Sequence, residues 1–293
     1  MQLTVFTPTY NRAQYLPVCY KYLAAQTCDD FMWLIVDDGS NDGTRELVKQ
    51  WQQERLVTIS YIWQPNQGMH GAHNTAYEYI TTELNVCIDS DDYMPPDAVG
   101  KILSYWNAYG GEHVSGLMGL DATTDGNVIG TMFPNDVKQA TLYDVHYRYH
   151  VTGDKKLVYR SDLTKKYPYP IFEEERYVGL AYKYYKLDMH YDMLLMNDVL
   201  CYVEYLPDGS SRNMVKQYRN NPKGFSFYRK ELIKLPFASL SFRFRQAVHY
   251  VSSSLLQKNR AFIRESPAKL LTALAFPPGL LLWFYIKMRT RAV

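Results

Sequence analysis

Through the first hundred residues, short β-branched and aromatic runs alternate with stretches of helical spacing, and each run ends in a polar loop; this alternation restricts the fold more than any other feature. Residues 3–6 form an apolar run ending at Thr7-Pro8, residues 14–26 carry apolar side chains at helical spacing, and residues 31–36 run into Asp37-Asp38-Gly39. The pattern repeats with a helix predicted over 44–53 and a strand over 57–63. After the turn-like segment 64–68 come a helix from about 72 to 80 and a strand over 85–88. Strands alternating with helices imply right-handed βαβ units, hence an α/β fold with a mainly parallel sheet. Ligands of such sheets bind beyond the carboxyl ends of the strands. Segments 7–12, 37–40, 67–74 and 89–92 all follow predicted strands, so four polar loops are expected at one edge.

The last of these loops, Ile88-Asp89-Ser90-Asp91-Asp92, sets three carboxylates directly behind an apolar run. Such a cluster repels itself unless a cation neutralises it. Carboxylate oxygens suit hard divalent ions, and Mg²⁺ or Mn²⁺ is commonly held by one or two carboxylates completed by substrate phosphates. The competing reading, an acidic turn capping the next helix, does not account for the convergence of the other three loops.

The net charge of +2 hides an asymmetry. Residues 223–293 hold 13 Lys/Arg against 2 acids, a net of +11, which leaves 19 basic and 28 acidic residues, a net of −9, in 1–222. The two parts therefore face different partners. Cys19, Cys28, Cys87 and Cys201 are scattered without C-x-x-C spacing, which fits reduced thiols better than a disulfide frame or a zinc site. Met1 leads straight into a strand-like run with no basic stretch before it, so no signal peptide is expected.

The ordered set Thr7-Pro8-Thr9-Tyr10-Asn11-Arg12, Gln26-Thr27, Ile35-Val36-Asp37-Asp38-Gly39-Ser40-Asn41-Asp42-Gly43-Thr44, Asn66-x-Gly68 with Asn74, and Asp89-Ser90-Asp91-Asp92 resembles the signature of family 2 glycosyltransferases of the GT-A fold. The resemblance covers roughly the first 100 residues; beyond about 115 it is looser and points to bacterial enzymes building capsule, O-antigen or other exported polysaccharides. It implies that Thr7, Pro8, Tyr10 and Arg12 line a nucleotide pocket, that Asp38 accepts a hydrogen bond from the base, and that Gly68 and Asn74 belong to the donor site. Asp89 and Asp91 match the D-x-D element, with Asp91 the direct ligand of Mn²⁺ or Mg²⁺ and Asp89 on the ribose or the metal's outer shell. Asp92 ranks third, and one of Asp37 and Asp38 is expected to serve only as an Asx-turn before Gly39. His70 and His73 occupy a loop where relatives often carry Arg or Lys; two imidazoles there either donate to a diphosphate or fill ordinary structural roles.

An inverting displacement needs a general base, because the acceptor hydroxyl loses its proton as it attacks the anomeric carbon. The resemblance directs the search to acids downstream of residue 115. The cluster Glu173-Glu174-Glu175 precedes a helix-like stretch over 178–186, and Val178-Gly179-Leu180 replaces the V-P-E pattern of many relatives. Glu175 is therefore the first choice and Glu173 the second, against the alternative of a helix start favoured by the macrodipole. Arg212, in the Asp208–Asn213 stretch after a predicted strand, is a further candidate for stabilising the leaving group.

Residues 270–286 carry no charge, but Pro277-Pro278-Gly279 interrupts them, and a span needs about 20 apolar residues. An element lying on or re-entering the membrane is expected, rather than a span or a buried hairpin. Lys258, Arg260, Arg264, Lys269, Lys287, Arg289 and Arg291 fit an anionic leaflet, and residues 237–256 read as an interfacial amphipathic helix. The apolar content and the lack of a recognisable module argue against nucleic acid.

The expectation is thus a GT-A domain over 1–222, with a donor half at 1–114 and an acceptor half at 115–222, followed by a membrane-associating region at 223–293. The function expected is a metal-dependent inverting transfer of a sugar from a nucleotide diphosphate, UDP-linked by preference, to a lipid-linked saccharide at the cytoplasmic face of the membrane. A transferase acting on polyprenyl phosphate and a non-catalytic nucleotide-sugar-binding scaffold are the alternatives; intact Asp89 and Asp91 speak against the scaffold.

Overall fold

A computed structural model describes residues 1–204 and 213–290, which divide into two compact units. Of the described residues, the first comprises 1–168 and 190–204; the second comprises 169–189 and 213–290.

The first unit is an α/β layer structure. Its opening run is β1 (Leu3–Thr9), α1 (Leu16–Ala24), β2 (Phe31–Asp37), α2 (Thr44–Glu54), β3 (Ile59–Trp63), α3 (Met69–Tyr79) and β4 (Leu84–Cys87). There follow α4 (Ala98–Tyr109), β5 (Val114–Thr123), β6 (Gln139–Ala140), α5 (Leu142–Tyr147), β7 (Lys155–Arg160) and α6 (Ser161–Thr164). After α7 (Ala181–Leu187), which belongs to the second unit, β8 (Asp192–Val203) returns to the sheet. The eight strands lie in the order β3-β2-β1-β4-β7-β5-β8-β6. The β3-β2-β1-β4 block is parallel throughout and β5 pairs in parallel with β8, while β7 runs antiparallel to both β4 and β5. The sheet is thus mainly parallel, as the sequence predicts, with its antiparallel pairings beyond β4.

Strands buried on both faces read as continuous apolar runs, and β2, with Trp33, Leu34, Ile35 and Val36 at 0–2% exposure, is such a run. Trp33 and Trp51 stack at 5.8 Å between ring centroids, and Tyr20 lies against Trp51 at 4.5 Å, so three aromatic rings fill the space between α1, α2 and the sheet. The helix predicted from about 72 begins earlier, at Met69, because Gly68 at φ 81° ends the preceding turn and lets the chain enter α3 directly.

The second unit is helical: α7, then α8 (Met214–Asn220), α9 (Pro222–Ile233), α10 (Leu240–Leu256), α11 (Phe262–Glu265), α12 (Lys269–Leu274) and α13 (Phe276–Arg289). The interruption expected within 270–286 falls at Ala275, where α12 ends, and Pro277 and Pro278 occupy the first turn of α13, where a missing N–H and a fixed φ cost nothing. One tail expectation changes: helix α10 is not an interfacial surface helix. Ala247, Tyr250 and Val251 are fully buried in a core shared with Ile233, Phe262 and Ala275, and Gly279 of α13 approaches Val251 so closely that a Cβ would sit 2.6 Å from the valine Cβ. Among the described residues no helix is long and apolar enough to cross a membrane.

Candidate functional site

Because β1, β2, β3 and β4 are parallel neighbours, the loops that follow them emerge at one edge of the sheet. There they are stitched together. Asn11, at φ 52°, donates its N–H to Ser40 Oγ (2.9 Å) and accepts from the Asn41 N–H through Oδ1 (2.9 Å), and Ala13 N donates to Asp42 Oδ2 at 2.8 Å. The β1 and β2 loops are thus one framework. Backbone hydrogen bonds continue the seam, from Asp38 N to Thr9 O and from Gln64 N to Asp37 O.

The adjacent aspartates divide their work. Asp37 Oδ1 accepts from Ser40 N at 2.7 Å, an Asx-type turn, and Oδ2 accepts from the Tyr61 hydroxyl at 2.5 Å. Asp38 is 3% exposed and reaches across to the loop before α3, accepting from Gln64 Nε2 (2.7 Å), Gln67 N (2.9 Å) and Gly68 N (2.8 Å). Its carboxylate fixes the shape of the segment that contains Gly68. Thr7 is fully buried and its hydroxyl accepts from Trp33 Nε1 at 2.9 Å. Pro8 completes the strand beside Val36, Tyr10 is half-exposed, and the Arg12 guanidinium lies 5.1 Å from the centre of the Tyr15 ring. Asn74 is half-buried on α3. His73 packs edge-on against Phe6 with Nδ1 2.9 Å from Met69 O, and both His70 and His73 are 1% exposed, the placement of core histidines.

Behind β4 the three carboxylates face different surroundings. Asp89 and Asp91 are half-buried, whereas Asp92 is 6% exposed and turned towards Lys156 of β7, whose Nζ lies 3.9 Å from both Asp92 Oδ2 and Asp121 Oδ1. Burial pushes the Asp92 carboxyl above the usual carboxylate range, opposed by Lys156 and assisted by its acidic neighbours. The loop is also pinned from α1: the Cys19 thiol donates to Asp92 O at 2.8 Å, and burial with the nearby carboxylates holds that thiol well above its ordinary pKa. Gln26 donates to Pro95 O (2.7 Å) and accepts from Val99 N (3.1 Å), which gives the Gln26-Thr27 pair a positioning role on the stretch after the acidic loop.

Among the described residues, no group of three or more His, Cys, Asp or Glu side chains is arranged to hold a metal. Two half-buried carboxylates, Asp89 and Asp91, suit a hard divalent ion whose remaining ligands come from phosphate oxygens, so the donor set fits Mg²⁺ or Mn²⁺ in that manner.

In the second unit, Glu175 is 5% exposed and both its oxygens are engaged: Oε1 accepts from Lys223 N at 2.8 Å and Oε2 from Gly224 N at 2.7 Å, at the first turn of α9. Burial raises its pKa despite those two N–H donors. Glu173 is exposed, and its carbonyl accepts from Arg176. Arg212 lies outside the described residues.

Three residues that sequence reasoning passed over belong to this edge: Lys156, Asp121 and Thr9. The pairing of Lys156 with two acids depends on strand register, which the local sequence does not disclose. Thr9, within the Thr7–Arg12 motif, is buried at the end of β1 with a hydroxyl that has no partner among the described residues.

Comparison with known proteins accords with these features. Residues 4–126 match the family described as Glycosyl transferase family 2. An uncharacterised glycosyltransferase of Nostoc sp. is 34% identical over 127 residues, 43% of this chain and 38% of that protein. The chondroitin synthase of Escherichia coli is 32% identical over 97 residues, 33% of this chain and 14% of the synthase, so the chain spans well under half the length of these relatives. Among solved structures, Staphylococcus aureus TarS 1–349 in complex with UDP-GlcNAc superposes with a TM-score of 0.65 at 16% identity, covering 99% of this chain and 92% of that one. The mannosyltransferase PcManGT of Pyrobaculum calidifontis, in complex with GDP-Man and Mn²⁺, gives 0.57 at 17% identity over 98% and 88%. With parallel strands presenting an interlocked set of polar loops and the acidic D-x-D segment at one sheet edge, residues 4–126 are a glycosyl transferase family 2 domain on a GT-A fold.

Proposed function

We propose that this protein is a metal-dependent inverting glycosyltransferase that moves a sugar from a UDP-linked donor to a lipid-linked saccharide in the synthesis of a bacterial surface polysaccharide. The observation that carries the reading is the interlocked loop edge: Asn11, Ser40, Asp38 and Gly68 hold three loops rigid beside the half-buried Asp89 and Asp91. Preorganised groups of this kind stabilise developing charge without reorganising during reaction. UDP-GlcNAc in TarS and GDP-Man with Mn²⁺ in PcManGT support a nucleotide-sugar donor and a divalent ion.

In this reading Asp91, with Asp89 beside it, holds Mg²⁺ or Mn²⁺, which supplies charge neutralisation for the departing diphosphate. Thr7, Pro8, Tyr10, Arg12 and Asn74 contribute to the donor pocket. Asp38 acts through the Gln67–Gly68 backbone that it fixes, in addition to any contact with the base. The acceptor oxygen bonds to the anomeric carbon as the bond to the diphosphate oxygen breaks, and the hydroxyl proton passes to a carboxylate of the Glu173–Glu175 cluster, with Glu175 the first choice. The chain works at the cytoplasmic face of the membrane, held there by the basic tail.

A thermal-shift panel of nucleotide sugars with and without Mn²⁺ tests the reading, since a ligand of the native state raises stability by RT ln(1 + [L]/Kd), about 2.7 kcal/mol at a hundredfold excess over Kd. UDP-sugars with Mn²⁺ are expected to raise the melting temperature. A protein indifferent to every nucleotide sugar is not a transferase of this kind.

A further inference from the structure

A cavity of about 540 Å³ opens in the second unit between α8 and the end of α13. Lys216, Arg219 and Asn220 line it from α8, and Tyr285, Arg289 and Thr290 from the other side. Among the described residues, no carboxylate lines it. Arg219 closes one wall by donating to the backbone oxygen of Thr290 and, at 2.8 Å, to its hydroxyl. The Arg289 guanidinium is 5.7 Å from the centre of the Tyr285 ring, a cation–π placement that orders the side chain on this side. Three cations beside amide, hydroxyl and phenol groups make a receptor for a phosphate group, and arginine in particular matches its geometry.

The same helix carries an apolar stripe next to that cavity. Leu281, Phe284 and Met288, at i, i+3 and i+7, are 70%, 50% and 64% exposed, while Gly279 and Ile286 face the core. Leu270 and Leu274 of α12 extend the exposed apolar surface. Lys287 places its Nζ 4.2 Å from the centre of the Trp283 ring, so an aromatic and a cation sit together beside the stripe. The two acids of residues 223–293 are engaged elsewhere: Glu231 pairs with Lys186 and Lys234, and Glu265 accepts from Asn259. A phosphate-binding cavity alongside an exposed hydrocarbon surface on one helix matches a ligand with an anionic head and an apolar body.

We propose that the cavity between α8 and α13 binds the phosphate head of an anionic membrane lipid, with the Leu281–Phe284–Met288 stripe lying in the bilayer beside it. This rests on the reading of the tail as membrane-facing, and it adds a defined head-group site to what would otherwise be diffuse attraction. Diffuse attraction depends only on how many cations lie within a Debye length of the leaflet. A site depends on which cations they are.

The test is sedimentation of the full chain with phosphatidylcholine vesicles containing or lacking phosphatidylglycerol, at low and high salt. Two charge-matched double variants are compared with the parent: Lys216→Gln with Arg289→Gln in the cavity, and Arg260→Gln with Arg264→Gln outside it. The cavity pair is expected to lose about tenfold or more in affinity for the anionic vesicles. The outer pair should lose several times less, with parental melting temperatures for both. Equal losses would leave only diffuse attraction and overturn the site while sparing the membrane reading. A parent that ignores every vesicle overturns both. Inorganic phosphate, tested alone by thermal shift, is expected to have little effect; if it stabilises the parent but not the cavity pair while vesicles are ignored, the ligand is a free phosphate and the lipid assignment fails. Should the cavity pair melt early, Lys216→Gln alone and Leu281→Ser take its place, and both are expected to weaken vesicle binding; parental binding by both would refute the proposal.

Discussion

Lys156 Nζ lies 3.9 Å from Asp92 Oδ2, beneath the acidic loop rather than in it. Antiparallel pairing of β7 with β4, with Val158 opposite Val86, brings the lysine under the loop that follows β4, and a second carboxylate, Asp121 of β5, lies equally near. The cation thereby sits between two buried acids, Asp92 and Asp121. Removing one member of a buried ionic cluster leaves an uncompensated charge, which typically costs 3–5 kcal/mol. Lys156→Met is accordingly expected to destabilise the protein by roughly 3 kcal/mol in urea unfolding. Asp121→Asn in the same chain should recover part of that loss. A single variant as stable as the parent would mean that the 3.9 Å contacts contribute little.

The acidic loop should respond to substitution position by position. Asp91→Asn is expected to abolish the Mn²⁺-dependent part of UDP binding, while Asp92→Asn, facing Lys156, should leave it nearly intact. Calorimetric titration of UDP with and without Mn²⁺ separates the two; the reverse order would transfer the metal role to Asp92.

For Glu175, a base and a helix cap predict different results. Replacing it with Gln sets an amide N–H₂ against Lys223 N or Gly224 N, which should cost about 1–3 kcal/mol of stability. As the base, it should also lower transfer by roughly 10²–10⁴ at unchanged donor affinity. Glu173→Gln, at an exposed position, should do neither. Stability loss in Glu175→Gln with parental turnover per folded molecule would assign this residue to capping alone.

His249 makes the second unit acid-sensitive. Burial, with Arg229 and Arg245 nearby, lowers its pKa from the ordinary 6.5 to about 3. Between those values the unfolded chain binds the proton and the folded one does not, so stability falls as pH drops through 6.5, with a limiting slope of about 1.4 kcal/mol per pH unit. Above pH 6.5 the group contributes no pH dependence. His249→Gln should flatten that limb in urea titrations at pH 4, 5 and 6; an equally steep decline in the variant would place the sensitivity in the carboxylates.

Gly279 allows α13 to lie against α10, where an added Cβ would meet Val251 at 2.6 Å. Gly279→Val should destabilise the helical unit by about 1–3 kcal/mol through overpacking. An unchanged melting temperature would show that the helices can separate there without cost.

What the sequence by itself determined was local and periodic. The alternation of β-branched runs with helical spacing, punctuated by Gly39, Gly43 and Gly68, was enough to locate the first four strands and to place their loops at one sheet edge, because parallel connectivity leaves no other place for them. The D-x-D loop was legible for the same reason, as unneutralised carboxylates behind a buried strand. Tertiary structure decided what depends on contacts distant in the chain. Whether Asp92 faces a metal or Lys156 follows from how β4, β7 and β5 pair across some seventy residues of chain, and the role of Asp38 follows from backbone amides thirty residues away. The prolines of the tail show the same limit: a Pro-Pro pair marks an interruption in the sequence, and only the tertiary structure shows that a second helix starts there, because the close approach of Gly279 to Val251 packs α13 against α10 and stabilises it.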